Sequence, residues 1–137
     1  MQEVWKEIKK KKRKSSAGWR EFGGKRKFYR SRWEANYGRY LEWLKSQGKI
    51  IDWHHEPETF WFEEIKRGVR SYLPDFRIIE KDLTIVFYEV KGYFDARSKT
   101  KIKRMTKYYP AIPLIIIDSK AYKRLSKQVS TLIPGWE

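Results

Sequence analysis

The stretch Tyr72-Leu73-Pro74-Asp75-Phe76-Arg77-Ile78-Ile79 is followed, after Glu80-Lys81-Asp82, by Leu83-Thr84-Ile85-Val86-Phe87-Tyr88-Glu89-Val90-Lys91, and its reading decides the fold. Both halves are rich in β-branched and aromatic residues, and the polar tripeptide between them suits a turn, so the sequence predicts a β-hairpin. Positions 75 and 89 are symmetric about residue 82, inside the turn, which sets Asp75 opposite Glu89. Side chains alternate along a strand, so Glu89 and Lys91 leave it on one face. Opposed carboxylates beside an ammonium form a site for a hard divalent cation next to a water-activating group. The competing reading is a solvent-facing cross-strand pair. That pair would weaken its own sheet, because like charges directly opposite repel.

Charge supplies the substrate class. The chain of 137 residues carries a formal charge of +15. Residues 1–32 hold 13 Lys or Arg against three Glu, whereas residues 33–137 hold 19 against 14. Such a basic arm suits a polyanion, and counterion release makes its binding salt-dependent. Lys9, Lys10, Lys11, Lys12, Arg13 and Lys14 form its densest run, with no apolar residue interleaved for insertion into a membrane surface. Phosphate is the expected partner of the acidic site, which points to a metal-dependent nuclease. The 40% apolar fraction and seven tryptophans indicate a folded chain, and its length suits one core. No cysteine occurs, which excludes disulfides and Cys-ligated zinc and is compatible with the cytoplasm. The apolar run Leu114 to Ile117 is far too short for a membrane span.

The remaining elements follow from periodicity and punctuation. Residues 1–30 read as a basic arm ending in a Gly-rich flexible linker, and 31–137 as the folded domain. Trp33, Tyr37, Tyr40, Leu41 and Leu44 make a helical stripe from Ser31 to Gln47, ended by Gly48. Strands are expected at Ile50 to His54, Thr59 to Glu63 and Val69 to Leu73. A basic helix from Ser98 to Tyr108 is stopped by Pro110. Leu114 to Ile117 reads as a strand covered on both faces, and Asp118 or Ser119 caps a final helix from Lys120 to about Gln128. The result is an α/β domain, a mixed sheet with helices on either side.

Pro74-Asp75 and Glu89-x-Lys91, together with the helix opened by Ser31-Arg32-Trp33-Glu34 and the Lys-rich helix after Gly92, resemble the PD-(D/E)xK nuclease superfamily. The layout from Ser31 to Val129 is most similar to phage Holliday-junction-resolving endonucleases of the endonuclease I type. The resemblance implies a restriction-endonuclease-like fold, Mg²⁺ (with Mn²⁺ able to substitute), branched DNA as substrate, a homodimer, and action in a host cytoplasm. It implies that Asp75, Glu89 and the Val90 carbonyl ligate the metal and that Lys91 holds or deprotonates the attacking water. Nucleases acting on linear duplex, and a non-catalytic nucleic-acid-binding protein, are the alternatives.

Glu34 has two readings. Ser31-x-x-Glu34 is a capping box, which explains the glutamate without chemistry. Yet Glu34 lies about 20° from Leu41 on the helical wheel, at the edge of the buried stripe, and the resemblance places a metal-site glutamate on this helix. His54 and His55 are adjacent on a strand, so one should face inward and one outward rather than both binding metal. Lys99, Lys101, Lys103 and Lys107 form a basic helix face suited to DNA; Lys103 and Lys107 repel at i,i+4 unless phosphate neutralises them. Tyr93 and Phe94 either line the site or cover the sheet edge. The tryptophans at 19, 33, 43, 53 and 61 are mostly core by default, and Trp19 in the basic arm is the base-stacking candidate.

Overall fold

A computed structural model describes residues 16–137. The basic run from Lys9 to Lys14 lies outside these residues. The order is β1 (Gly18–Phe22), β2 (Lys25–Tyr29), α1 (Arg32–Ser46), β3 (Ile50–His55), β4 (Phe60–Trp61), β5 (Ser71–Tyr72), β6 (Phe76–Glu80), β7 (Ile85–Val90), α2 (Ala96–Tyr108), β8 (Leu114–Ile117) and α3 (Ser119–Val129). This is the expected α/β architecture.

The central sheet runs β3-β6-β7-β8, antiparallel except for the parallel β7–β8 pair. Phe76 pairs with Tyr88 and Arg77 with Phe87, so the register is the one symmetric about residue 82. One sheet face carries Trp53, Phe76, Ile78 and Val90 against Tyr37 and Leu41 of α1 and Tyr122 of α3. The other carries Phe87 against Met105 of α2 and the short β4–β5 ribbon with Phe60, Phe62, Val69 and Tyr72. Asp75 and Glu89 emerge on this second face, at the sheet end where α1 begins.

Caps fix the helices. Ser31 accepts from the Glu34 N–H at 3.1 Å, and Gly48, with φ of +69°, closes α1 through Gly48 N–H to Lys45 and Lys49 N–H to Leu44. Asp95 and Asp118 cap α2 and α3. Helix α2 therefore starts two residues before the expected Ser98, because Asp95 supplies the cap.

Two expectations are corrected. The segment read as a flexible Gly-rich linker is a hairpin: Phe22 pairs with Lys25 across Gly23 and Gly24, whose φ values are +60° and +72°. Paired positive φ angles are those of a type I′ turn, which only glycine adopts without strain. The domain's folded part therefore begins well before residue 31. Strand β8 is covered only in part: it is the sheet edge, with Leu114 packed into the cluster on one face and Ile117 into that on the other, while Ile115 is exposed.

Candidate active site

The acids meet through the strand pairing itself. The Val90 N–H donates to Asp75 Oδ2 at 2.8 Å, and the Asp75 N–H donates to Glu89 Oε2 at 3.2 Å. Each carboxylate is thus anchored on the backbone of the opposite strand. The Tyr72 hydroxyl adds a 2.7 Å hydrogen bond to Glu89 Oε2. Asp75 Oδ1 and Glu89 Oε1 accept none of these bonds, and the Asp75 carboxyl also lies within side-chain hydrogen-bond reach of Glu34.

Glu34 comes from the first turn of α1 and is 3% exposed. Its Oε2 accepts from the Arg30 N–H at 2.7 Å and its Oε1 faces His55 Nε2 at 2.8 Å. The capping box is therefore half made: Ser31 performs its part, but the glutamate reaches back past Ser31 to Arg30 and across to β3. Its charge also acts on Asp75 and Glu89, so the three carboxylates form one cluster.

Electrostatics define what this cluster lacks. Burial and the neighbouring charges of Glu89 and Glu34 push the Asp75 carboxyl well above the usual range. Glu89 is also raised by burial, although the Tyr72 hydroxyl, the Asp75 N–H and the Lys91 ammonium each favour its ionised form. Glu34 would be raised by burial, but the His55 and Arg30 hydrogen bonds reverse the effect and hold it low. Three carboxylates with insufficient positive charge, two of them presenting an oxygen to a small cavity of about 60 Å³, fit a hard cation. The cavity is lined by Tyr72, Asp75, Glu89 and Lys91, with Arg30 and Lys101 at its rim.

The structure brings Glu34, Asp75, Glu89 and Lys91 together, as the sequence reading required. Val90 contributes its N–H to Asp75. Of the basic helix, Lys101 lines the cavity, whereas Lys99, Lys103 and Lys107 lie on the exposed surface. Arg104 is bonded to the Val69 carbonyl and serves packing. Phe94 lines the cavity, and Tyr93 stands exposed beside a neighbouring open hollow with Arg32 and Trp33. A Cβ at Gly92 would meet the Trp33 ring at 3.0 Å, a tight contact to which the ring would have to yield. Trp53 is core, whereas Trp61 is exposed, an exception to the default interior placement of the tryptophans.

Three residues escaped the sequence reading: Arg30, Tyr72 and His55. Tyr72 sits three residues before Asp75, in a stretch that reads from the sequence only as a strand. His55 is indeed the inward member of its pair, and it is a partner of Glu34. Glu34, His55 and Glu56 also offer ligand atoms within 4.8 Å of one another, a second arrangement able to hold a metal. There His55 Nε2 is already engaged with Glu34.

An α/β domain with a buried acidic cluster is the class that fold and site define. Residues 22–124 match the family described as protein of unknown function, DUF1064. The match spans well over half of the chain, and the protein belongs to that family. No curated protein matches the chain. Among the described residues, no helix is long and apolar enough to cross a membrane.

Proposed function

We propose that this protein is a divalent-metal-dependent endodeoxyribonuclease of the PD-(D/E)xK type, with branched DNA as the favoured substrate. The observation that carries the reading is the backbone-locked pairing of Asp75 with Glu89, in one cavity with Lys91 and close to Glu34. Asp75, Glu89 and the Val90 carbonyl would hold Mg²⁺, with Mn²⁺ able to replace it and Glu34 completing the acidic shell. The cation, when bound, supplies Lewis-acid polarisation of the scissile phosphate.

The chain's own groups do the rest. Lys91 Nζ orients the attacking water and offsets negative charge growing on the phosphate. Arg30 and Lys101, at the cavity rim, hold the flanking phosphates, so that the scissile bond lies over the acids. Tyr72 fixes the Glu89 carboxylate in one orientation. The resemblance to junction resolvases supports a homodimer cutting two strands of a four-way junction.

The test compares cleavage of a four-way junction, linear duplex, flap and single-stranded DNA, each with Mg²⁺ and with EDTA. Metal-dependent cleavage that is fastest on the junction is expected. Asp75→Asn and Glu89→Gln should each abolish it while binding DNA in EDTA at least as well as wild type. Wild-type cleavage by either folded variant would place the chemistry elsewhere.

A further inference from the structure

The β1–β2 ribbon carries a feature that the acidic site does not use. Its inward face is anchored: Phe22 stacks on Tyr29 and Trp53 with centroids at 5.3 and 6.0 Å. Its outward face presents Trp19 opposite Phe28, 60% and 44% exposed, rings edge-on at 5.8 Å. The Arg26 guanidinium lies 4.9 Å from the Trp19 ring on that same face. Two large aromatics left partly in water gain for the fold only their cross-strand contact with each other. On that outward face Arg26 is paired with Glu21, while Lys25 lies over Trp53 on the inward face, and Arg30 and Arg32 follow the ribbon in sequence. Residues 1–15, which lead into this ribbon, hold seven further Lys or Arg.

Position relates the aromatic rung to the cavity. The next rung, Gly18–Tyr29, ends the ribbon, and Tyr29 stacks on His55 at 4.3 Å, beside Glu34. Arg30 follows directly and lines the acidic cavity. Phe28 therefore stands two residues, about 7 Å of extended chain, from the residue at the cavity rim. A strand with its phosphate over the acids passes Arg30 and meets Phe28 and Trp19 within a nucleotide or two.

We propose that the Trp19–Phe28 rung is a stacking platform for unpaired bases of DNA, set beside the acidic cavity. The charge around it selects a polyanion, and the exposed rings select a polyanion that offers π faces, which a fully paired duplex hides. Arg26 contributes both a phosphate contact and a cation to the stack. The proposal rests on the nuclease reading only for where the cleaved phosphate lies.

The test uses the full chain in EDTA, with fluorescence anisotropy of a labelled oligothymidylate, a flap and a blunt duplex. Replacing both residues, Trp19→Ala with Phe28→Ala, should weaken binding to oligothymidylate and flap by at least about tenfold, since each stacked base is worth that order. Blunt-duplex binding should change by less than about twofold, because phosphate contacts dominate there. Trp19→Phe, which keeps a ring, should retain most of the affinity that Trp19→Leu loses, a contrast that a folding defect would not produce. Equal losses on all three substrates, or none, would overturn the platform. So would a concentration-dependent dimer dissolved by the same substitutions, which would assign the rung to self-association. Cleavage in Mg²⁺ is read separately. A wild type that cuts no DNA defeats the nuclease reading while the stacking result stands, and normal cutting with unchanged oligothymidylate binding defeats the platform alone.

Discussion

Glu34 Oε1 and His55 Nε2 sit 2.8 Å apart in a contact almost closed to solvent, while Glu34 Oε2 accepts from the Arg30 N–H. One carboxylate thereby ties the start of α1 to the end of β3 and to the residue after β2. Capping and site-building are consequently separable in this residue. Glu34→Gln keeps an acceptor for Arg30 and a polar partner for His55, so its melting temperature should stay close to wild type. Cleavage should nevertheless fall by at least about tenfold, through loss of the negative charge. His55→Ala should act the other way, costing about 3 kcal/mol in urea unfolding because it leaves a buried carboxylate short of a partner. Equal activity of Glu34→Gln and wild type would return the glutamate to a purely structural role.

Asp75 should make the metal-free site a burden on stability. Its carboxyl has a folded-state pKa raised above the unfolded one by burial and by Glu89 and Glu34. The folded state then binds more protons, so stability falls as pH rises from the ordinary carboxylate range through the raised value. In EDTA at neutral pH, Asp75→Asn should melt about 3 °C or more above wild type, an advantage that vanishes in acid. Mg²⁺ at about a hundred times its Kd should add about 2.7 kcal/mol to the wild type and little to the variant. Calorimetric scans across pH, with and without Mg²⁺, measure both effects.

Tyr72 is the orienting group whose removal should be felt by the cation more than by the fold. Its hydroxyl is kept protonated by burial and by the charge of Glu89. Tyr72→Phe should weaken Mg²⁺ affinity by about 10–100-fold. The cost in stability should be about 1 kcal/mol. Titration calorimetry with Mg²⁺ and urea unfolding of the same preparation separate the two.

Deleting residues 1–14 removes Lys6, Lys9, Lys10, Lys11, Lys12, Arg13 and Lys14 together with Glu3 and Glu7. Affinity for duplex should fall, and the slope of log K against log salt should flatten by about 0.9 for each phosphate the arm no longer neutralises. Cleavage at saturating substrate should persist, since Glu34, Asp75, Glu89 and Lys91 remain. An unchanged salt slope would show that the arm lies off the DNA.

Much of the site was legible because a hairpin is a local object. The symmetry of Asp75 and Glu89 about residue 82 needs no knowledge of the rest of the chain, and alternation then places Lys91. Glu34 was legible as a helix residue at the border of the apolar stripe, but its partner was not. His55 reaches it only because β3 pairs with β6, setting His55 opposite Phe76, a contact between distant segments. The β1–β2 ribbon was missed for another reason. Gly23-Gly24 within a basic stretch reads as flexibility, whereas Trp19 and Phe28 lie symmetrically about the same pair, as the opposed positions of a tight hairpin do. The edge position of β8 was hidden because four consecutive apolar residues look alike in the middle of a sheet and at its rim.

The crossed bonds from Asp75 N–H to Glu89 and from Val90 N–H to Asp75 make the acidic pair an instrument for measuring strand alignment. Sliding β7 by one residue would turn Glu89 and Lys91 to the opposite face, towards Val90's present neighbours, and leave Asp75 alone. No partly aligned hairpin could assemble the pair. On the proposed nuclease reading, cleavage would then count correctly zipped molecules in a refolding mixture, and substitutions in the Lys81–Thr84 loop that loosen the alignment would abolish it before they unfolded the protein.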